Sequence, residues 1–200
     1  MRLVTFLDVE TNGLVDKHKR WDDPCQPNIL SIGAVTWLED GSKEVYSQYN
    51  IIRPQGFTID NDCEAVQVNG ITQEIAQDCG IPYTAALLPL DHICYRSWRV
   101  VIYNAEFEAS LFEIERVRFK KDRHPFGPDK TRCAMLKMAS IIQEPSPWAH
   151  GEYRWPKFNQ AYNHIFGQEP AEHHHALHDA RNTAYLTFAL QDQGMWNLNE

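Results

Sequence analysis

The stretch Arg2-Leu3-Val4-Thr5-Phe6-Leu7-Asp8-Val9-Glu10 decides how this chain must fold. Residues 2–8 alternate as a strand does, with Leu3, Thr5 and Leu7 on one face and Val4 and Phe6 on the other. Asp8 and Glu10 stand two residues apart, so in an extended chain both continue the line of Val4 and Phe6. Carboxylates that follow a buried strand cost free energy unless something positive neutralises them. A hard divalent cation is the natural partner for oxygen ligands. The competing reading ends the strand at Leu7 and leaves two ordinary acids in a solvated loop.

Outward from this segment, residues 15–28 are polar, with Lys17-His18-Lys19-Arg20 and Asp22-Asp23-Pro24, and read as a loop. A second strand is expected over 28–38, a turn at Glu39-Asp40-Gly41-Ser42, and a third strand over 43–53. An antiparallel meander is the economical arrangement of the three. The spacing then turns helical over 83–98, where Ala86, Leu87, Leu90, Ile93 and Cys94 recur at helical intervals. A short strand follows at 99–103, a helix at 105–119, a strand near 130–133 and a helix at 134–142. Pro145, Pro147, Gly151 and Pro156 punctuate a loop before helices at 158–166 and about 176–191. Strands first, then alternating helices and strands, predict a three-layer α/β fold. Its centre is a mixed five-stranded sheet, an antiparallel meander followed by parallel strands, flanked by helices. No repeat or linker divides residues 1–200, which are expected to form a single domain.

Composition narrows the function. A formal net charge of -8 argues against gripping long duplex nucleic acid by broad phosphate neutralisation, although not against holding a few nucleotides at one end. Cys25, Cys63, Cys79, Cys94 and Cys133 are widely spaced, without the close pairs of zinc sites or redox dithiols, and read as reduced thiols. Residues 1–8 acquire charge too early for a secretory signal, and no apolar run approaches the roughly 18 residues of a membrane span. The expectation is a cytoplasmic protein with no membrane partner.

Two further places set chemistry against pattern. In Asn104-Ala105-Glu106-Phe107-Glu108, directly after the strand ending at Tyr103, Asn104 is placed to cap the next helix. Glu108 then lies one turn in, near the carboxyl end of a strand, where such sheets place ligands. A glutamate-rich first turn also simply suits the helix dipole. In His173-His174-His175-Ala176-Leu177-His178-Asp179, four histidines invite a zinc reading, but no cysteine lies nearby to complete a thiolate site. His174 and Asp179 share no face of one continuous helix. They converge if His174 sits on the entry loop and Asp179 within the first turns. His173, His175 and His178 are expected at the surface.

Together these segments resemble the DEDDh family of 3'-5' exonucleases, which has the ribonuclease H-like fold. Asp8-Val9-Glu10-Thr11-Asn12-Gly13-Leu14 matches the family's first motif, Asp-x-Glu-Thr-x-Gly-Leu. Tyr103-Asn104-Ala105-Glu106-Phe107-Glu108 is similar to its second, approximately His-Asn-Ala-x-Phe-Asp. His174-His175-Ala176-Leu177-His178-Asp179 meets the third, His-x-Ala-x-x-Asp, without change, and Val68-Asn69-Gly70-Ile71-Thr72 is similar to a lesser family turn. Tyr103 stands where the family has histidine, and Glu108, longer by one methylene, where it has aspartate. Three motifs in order are far more specific than any one.

The resemblance implies hydrolysis of the 3'-terminal phosphodiester, mainly of single-stranded DNA, with release of nucleoside 5'-monophosphates. Two divalent cations, Mg2+ or Mn2+, would be held by Asp8, Glu10, Glu108 and Asp179, with His174 as general base. The all-oxygen set disfavours zinc. Thr11, Leu14 and Asn104 would contact substrate, Leu14 wedging against the last bases. Lys17, Lys19, Arg20 and Trp21 suit phosphate contact and base stacking, or form an ordinary solvated loop. The same chemistry on RNA is the alternative activity. A nucleic-acid-binding or polymerase-associated module that kept the fold, its catalysis weakened by Glu108, is the alternative from another class. A second copy of the chain or a polymerase would be a compatible partner.

Overall fold

The β-branched and aromatic N-terminal segment forms β1 (Leu3–Thr11), which runs three residues beyond its expected end. Asp8 and Glu10 are therefore strand residues, and the loop reading of these acids falls. In the computed structural model, which describes residues 2–146, 153–172 and 174–199, β1 is the middle of a five-stranded sheet. Pro147, Gly151 and His173 lie outside the described residues.

β1 pairs antiparallel with β2 (Ile29–Leu38), which pairs antiparallel with β3 (Glu44–Ile51). On its other side β1 pairs parallel with β4 (Arg99–Ile102), which pairs parallel with β5 (Thr131–Cys133). The order is β3-β2-β1-β4-β5, the mixed sheet expected from sequence. Two short helices were not foreseen, α1 (Glu64–Asn69) and α2 (Gln73–Cys79). Gly70 ends α1 in the left-handed region at φ 71°, and the Thr72 hydroxyl accepts the Ile75 N–H at 3.3 Å to cap α2. Between them Ile71 packs with Leu30, Ile59, Val66 and Ala76 in a small core of its own.

The larger helices are α3 (Tyr83–Arg96), α4 (Ala105–Arg118), α5 (Ala134–Ile142), α6 (Phe158–Phe166) and α7 (Ala176–Asp192). Alternation along β1 sorts them into layers. Leu7 and Val9 pack with Leu90, Leu111 and Phe112 of α3 and α4. Val4 and Phe6 pack with Met138, Ala161, Ala180 and Ala184 of α5, α6 and α7. Because side chains alternate, Asp8 and Glu10 fall on the α7 side.

Candidate active site

Asp8 lies opposite Gly33 in the β1–β2 ladder. A Cβ placed on Gly33 would sit 2.2 Å from the backbone carbon of Ala176 and the nitrogen of Leu177. Only the missing side chain lets the first turn of α7 rest on bare sheet backbone beside Asp8. Two contacts hold it there. Arg181 donates two hydrogen bonds to Glu44 of β3, at 2.9 and 3.0 Å. The His175 ring stacks on Tyr49, the β3 partner of Gly33, with centroids 4.1 Å apart. Asp179 arrives in this first turn, its Oδ2 accepting the His175 N–H at 3.2 Å. Carboxylate oxygens of Asp8, Glu10 and Asp179 then lie within 4.8 Å of one another.

Glu108 comes from the opposite layer, in the first turn of α4. It is 4% exposed, and its Oε2 has no hydrogen-bond partner among the described residues. Asn104 occupies the N-cap position, but its side chain makes no capping bond, contrary to the sequence expectation. Its carbonyl instead accepts the Phe107 and Glu108 N–H groups at 3.0 and 3.3 Å.

Burial first, then Glu108, Asp179 and Glu10, holds the Asp8 carboxyl well above the usual carboxylate range. Burial and Asp179 push Glu10 up to about 8, and burial with Glu10 does the same to Glu108. Converging acids that resist ionisation, one with an orphaned buried oxygen, form a donor set that fits a hard divalent cation.

His174 sits in the left-handed region at φ 61°, just ahead of α7, and is exposed. The entry-loop placement brings it, with Asp8 and Asp179, to the edge of one cavity of about 330 Å³. His175 and His178, expected at the surface, are half-buried; their rings stack at 4.4 Å, and His178 pairs with Glu172. The far wall of the cavity holds Tyr103, Lys157, Phe158 and Asn159, of which only Tyr103 belongs to a motif. The other three were read as the end of a loop and the start of a helix. The signal available was the acid-free, aromatic and basic run Tyr153-Arg154-Trp155-Pro156-Lys157-Phe158.

Thr11 is buried, its hydroxyl donating to the Gly13 carbonyl at 2.8 Å and its own carbonyl accepting from Asn69 of α1 at 3.0 Å. Leu14, just beyond, is 84% exposed. The loop cations already face carboxylates: Lys17 pairs with Glu106, Lys19 with Asp16 at 3.5 Å, and Arg20 with Asp22 at 2.8 Å. That arrangement favours the solvated-loop reading of residues 15–28. The same loop is tied to the end of α4 by Arg118. Its guanidinium donates to the Gln26 and Pro27 carbonyls, the Asn28 side chain and Glu115, at 2.6–2.9 Å.

A mixed sheet with clustered acids at the end of its central strand and a histidine beside them is the architecture of a nuclease. A family model described as an exonuclease, of the RNase T type, matches residues 5–187, and the chain belongs to that family. Its motifs make it a DEDDh exonuclease. No curated protein matches its sequence. Among solved structures, the nuclease domain of 3'hExo, a DEDDh family member bound to rAMP, is similar at 12% identity and a TM-score of 0.73. That likeness covers 96% of this chain and 92% of the other. The zinc-bound form of an E. coli exonuclease I–single-stranded DNA complex is similar at 14% identity and a TM-score of 0.68, over 96% of this chain and 41% of that one. A 3'-exonuclease that recognises the 3' end of a histone mRNA stem-loop follows at 11% and 0.71, over 96% and 64%. The chain thus spans less than half of exonuclease I, and at these identities the likeness is one of fold.

Proposed function

We propose that residues 1–200 act as one metal-dependent 3'-5' exonuclease domain, which hydrolyses the 3'-terminal phosphodiester of single-stranded DNA and releases nucleoside 5'-monophosphates. The observation that carries this reading is the meeting of Asp8, Glu10 and Asp179 oxygens within 4.8 Å, at a cavity that His174 also borders.

Asp8, Glu10 and Asp179 would hold one divalent ion, with Asp8 and Glu108 reaching a second. Bound ions supply the positive charge that activates water and stabilises the departing 3' oxygen. The residues do the rest. Four carboxylates would orient the ions, and among the described residues the Oε2 of the buried Glu108 has no hydrogen-bond partner. His174 takes the proton of the attacking water, since imidazole is the side chain best suited to accept and return protons near neutrality. On the loop before α7 it is exposed to solvent. Thr11, through its backbone, and Asn104 face the terminal nucleotide, and the exposed Leu14 wedges against the last base.

The oxygen ligands favour Mg2+ or Mn2+. Because one similar structure is zinc-bound, zinc belongs in the test as a control. The similar structures include complexes with rAMP and with single-stranded DNA, so matched DNA and RNA oligomers are the substrates to compare. With 5'-labelled oligomers, Mg2+ or Mn2+ should give ladders that shorten from the 3' end, and chelation should stop them. Internal cuts, shortening from the 5' end, or intact oligomers with both ions would overturn the proposal.

A further inference from the structure

Residues 153–159, Tyr-Arg-Trp-Pro-Lys-Phe-Asn, contain three aromatics, two cations and no acid, in a chain whose net charge is -8. The run is fastened at three points. Tyr153 bridges to Pro145. Arg154 donates its backbone N–H to the Glu144 carbonyl at 2.8 Å and its guanidinium to the Glu144 carboxylate at 3.1 Å. The Tyr103 hydroxyl donates to the Pro156 carbonyl at 2.8 Å, and its ring meets Phe158 edge-on at 4.9 Å. Between these fastenings Trp155 is left 55% exposed. Lys157 lines the same cavity as Asp8, His174 and Asp179, and among the described residues no carboxylate pairs with it.

The geometry points to a strand-holding subsite, in which Lys157 pairs with the substrate phosphate upstream of the scissile one and Trp155 stacks on an upstream base. This rests on the exonuclease reading of the cavity. Chemistry favours it on two grounds. Divalent ions on the four acids would serve the scissile phosphate alone, so in a chain of net charge -8 a cation at the rim is needed to hold the phosphate upstream of it. Base stacking on an aromatic ring tolerates any sequence, as successive removal of terminal nucleotides requires. The fastenings place both groups before substrate arrives, which lowers the ordering cost of binding. Tyr103 is then a positioning residue: its hydroxyl, absent from the family's usual histidine, fixes the segment that carries Lys157.

Lys157→Gln and Trp155→Ala test this without disturbing α6, whose start is capped by the Lys157 backbone N–H donating to Gln160 at 3.0 Å. Two substrates are compared: a hexanucleotide, and a dinucleotide without a 5' phosphate, which carries the scissile phosphate alone. On the hexanucleotide each variant should raise KM about tenfold with kcat within about twofold. Lys157→Gln should also flatten the logarithmic salt dependence of binding by about 0.7, and Lys157→Arg should restore it. On the dinucleotide both variants should match the parent. Equal losses on both substrates, or an unchanged hexanucleotide KM, would overturn the subsite. Hexanucleotide binding by fluorescence anisotropy separates this from the activity itself. If the parent turns over neither substrate, weakened binding by the variants keeps the subsite and removes the catalytic reading, and unchanged binding removes both.

Discussion

Asp8, Glu10 and Glu108 are held by their surroundings in a state that opposes their own ionisation. Each has a folded pKa above that of the free carboxyl, with Glu10 and Glu108 at about 8. Such a group keeps its proton in the folded chain after the unfolded chain has lost it. Stability from these groups is therefore present below about pH 4.5 and is lost as pH rises to about 8. With divalent ions chelated, Tm should fall across that window, and Mg2+ should raise it most at the alkaline end. Glu108→Gln removes one buried charge, so at pH 8 the chelated variant should melt higher than the parent while losing most Mg2+-dependent hydrolysis. A melting curve that ignores both pH and Mg2+ would contradict the metal assignment. On the proposed reading, His174 contributes to chemistry rather than to binding. His174→Ala should lower kcat by about 10²- to 10⁴-fold and leave ion and strand affinity nearly unchanged. A variant turning over near the parent rate would show that another group takes the proton.

At the level of elements, α7 is the decisive part, because its first turn brings Asp179 and the loop ahead of it brings His174. Gly33→Ala forces a methyl group into backbone atoms 2.2 Å away and should push α7 off the sheet. Overpacking of this kind costs about 1–3 kcal/mol, read as a lower Tm, and calorimetric titration should show weaker ion binding. An unaltered ion affinity would mean that Asp179 reaches the site by another route. The strand–helix order of the sheet was legible in the sequence, since β1 alternates, β2 and β4 are largely apolar runs, and the long helices carry apolar residues at helical spacing. α1 and α2 were not. Six- and seven-residue helices are too short to show a period, and their apolar residues are shared across the Gly70 turn. Likewise, motif spacing singled out Asp8, Glu10, Glu108, His174 and Asp179. Lys157 and Trp155 belong to no motif, and Lys157 reaches the cavity of the carboxylates on a segment that the Tyr103–Pro156 contact fastens across 53 residues of sequence. The close approach at Gly33 was hidden too, because a glycine inside a strand does not say what rests on it.

Across the whole molecule the charge is -8, and the acids gathered at the end of β1 add to a field that repels nucleic acid. Divalent ions held there would neutralise it where a strand would enter. Chelation should thus weaken hexanucleotide binding at least about tenfold, measured by anisotropy, and not merely stop cleavage; equal affinity with and without ions would place the strand elsewhere. No helix among the described residues is long and apolar enough to cross a membrane. One connection reaches across this surface. Arg118, mostly buried, bonds to Gln26, Pro27, Asn28 and Glu115 at once, and it sits on the same helix as Glu108. The loop running back from that hub ends at Leu14. A polymer end seated at Leu14 would bear on a loop anchored to the rod that carries Glu108, so the fit of the terminus and the placing of that carboxylate would share one support.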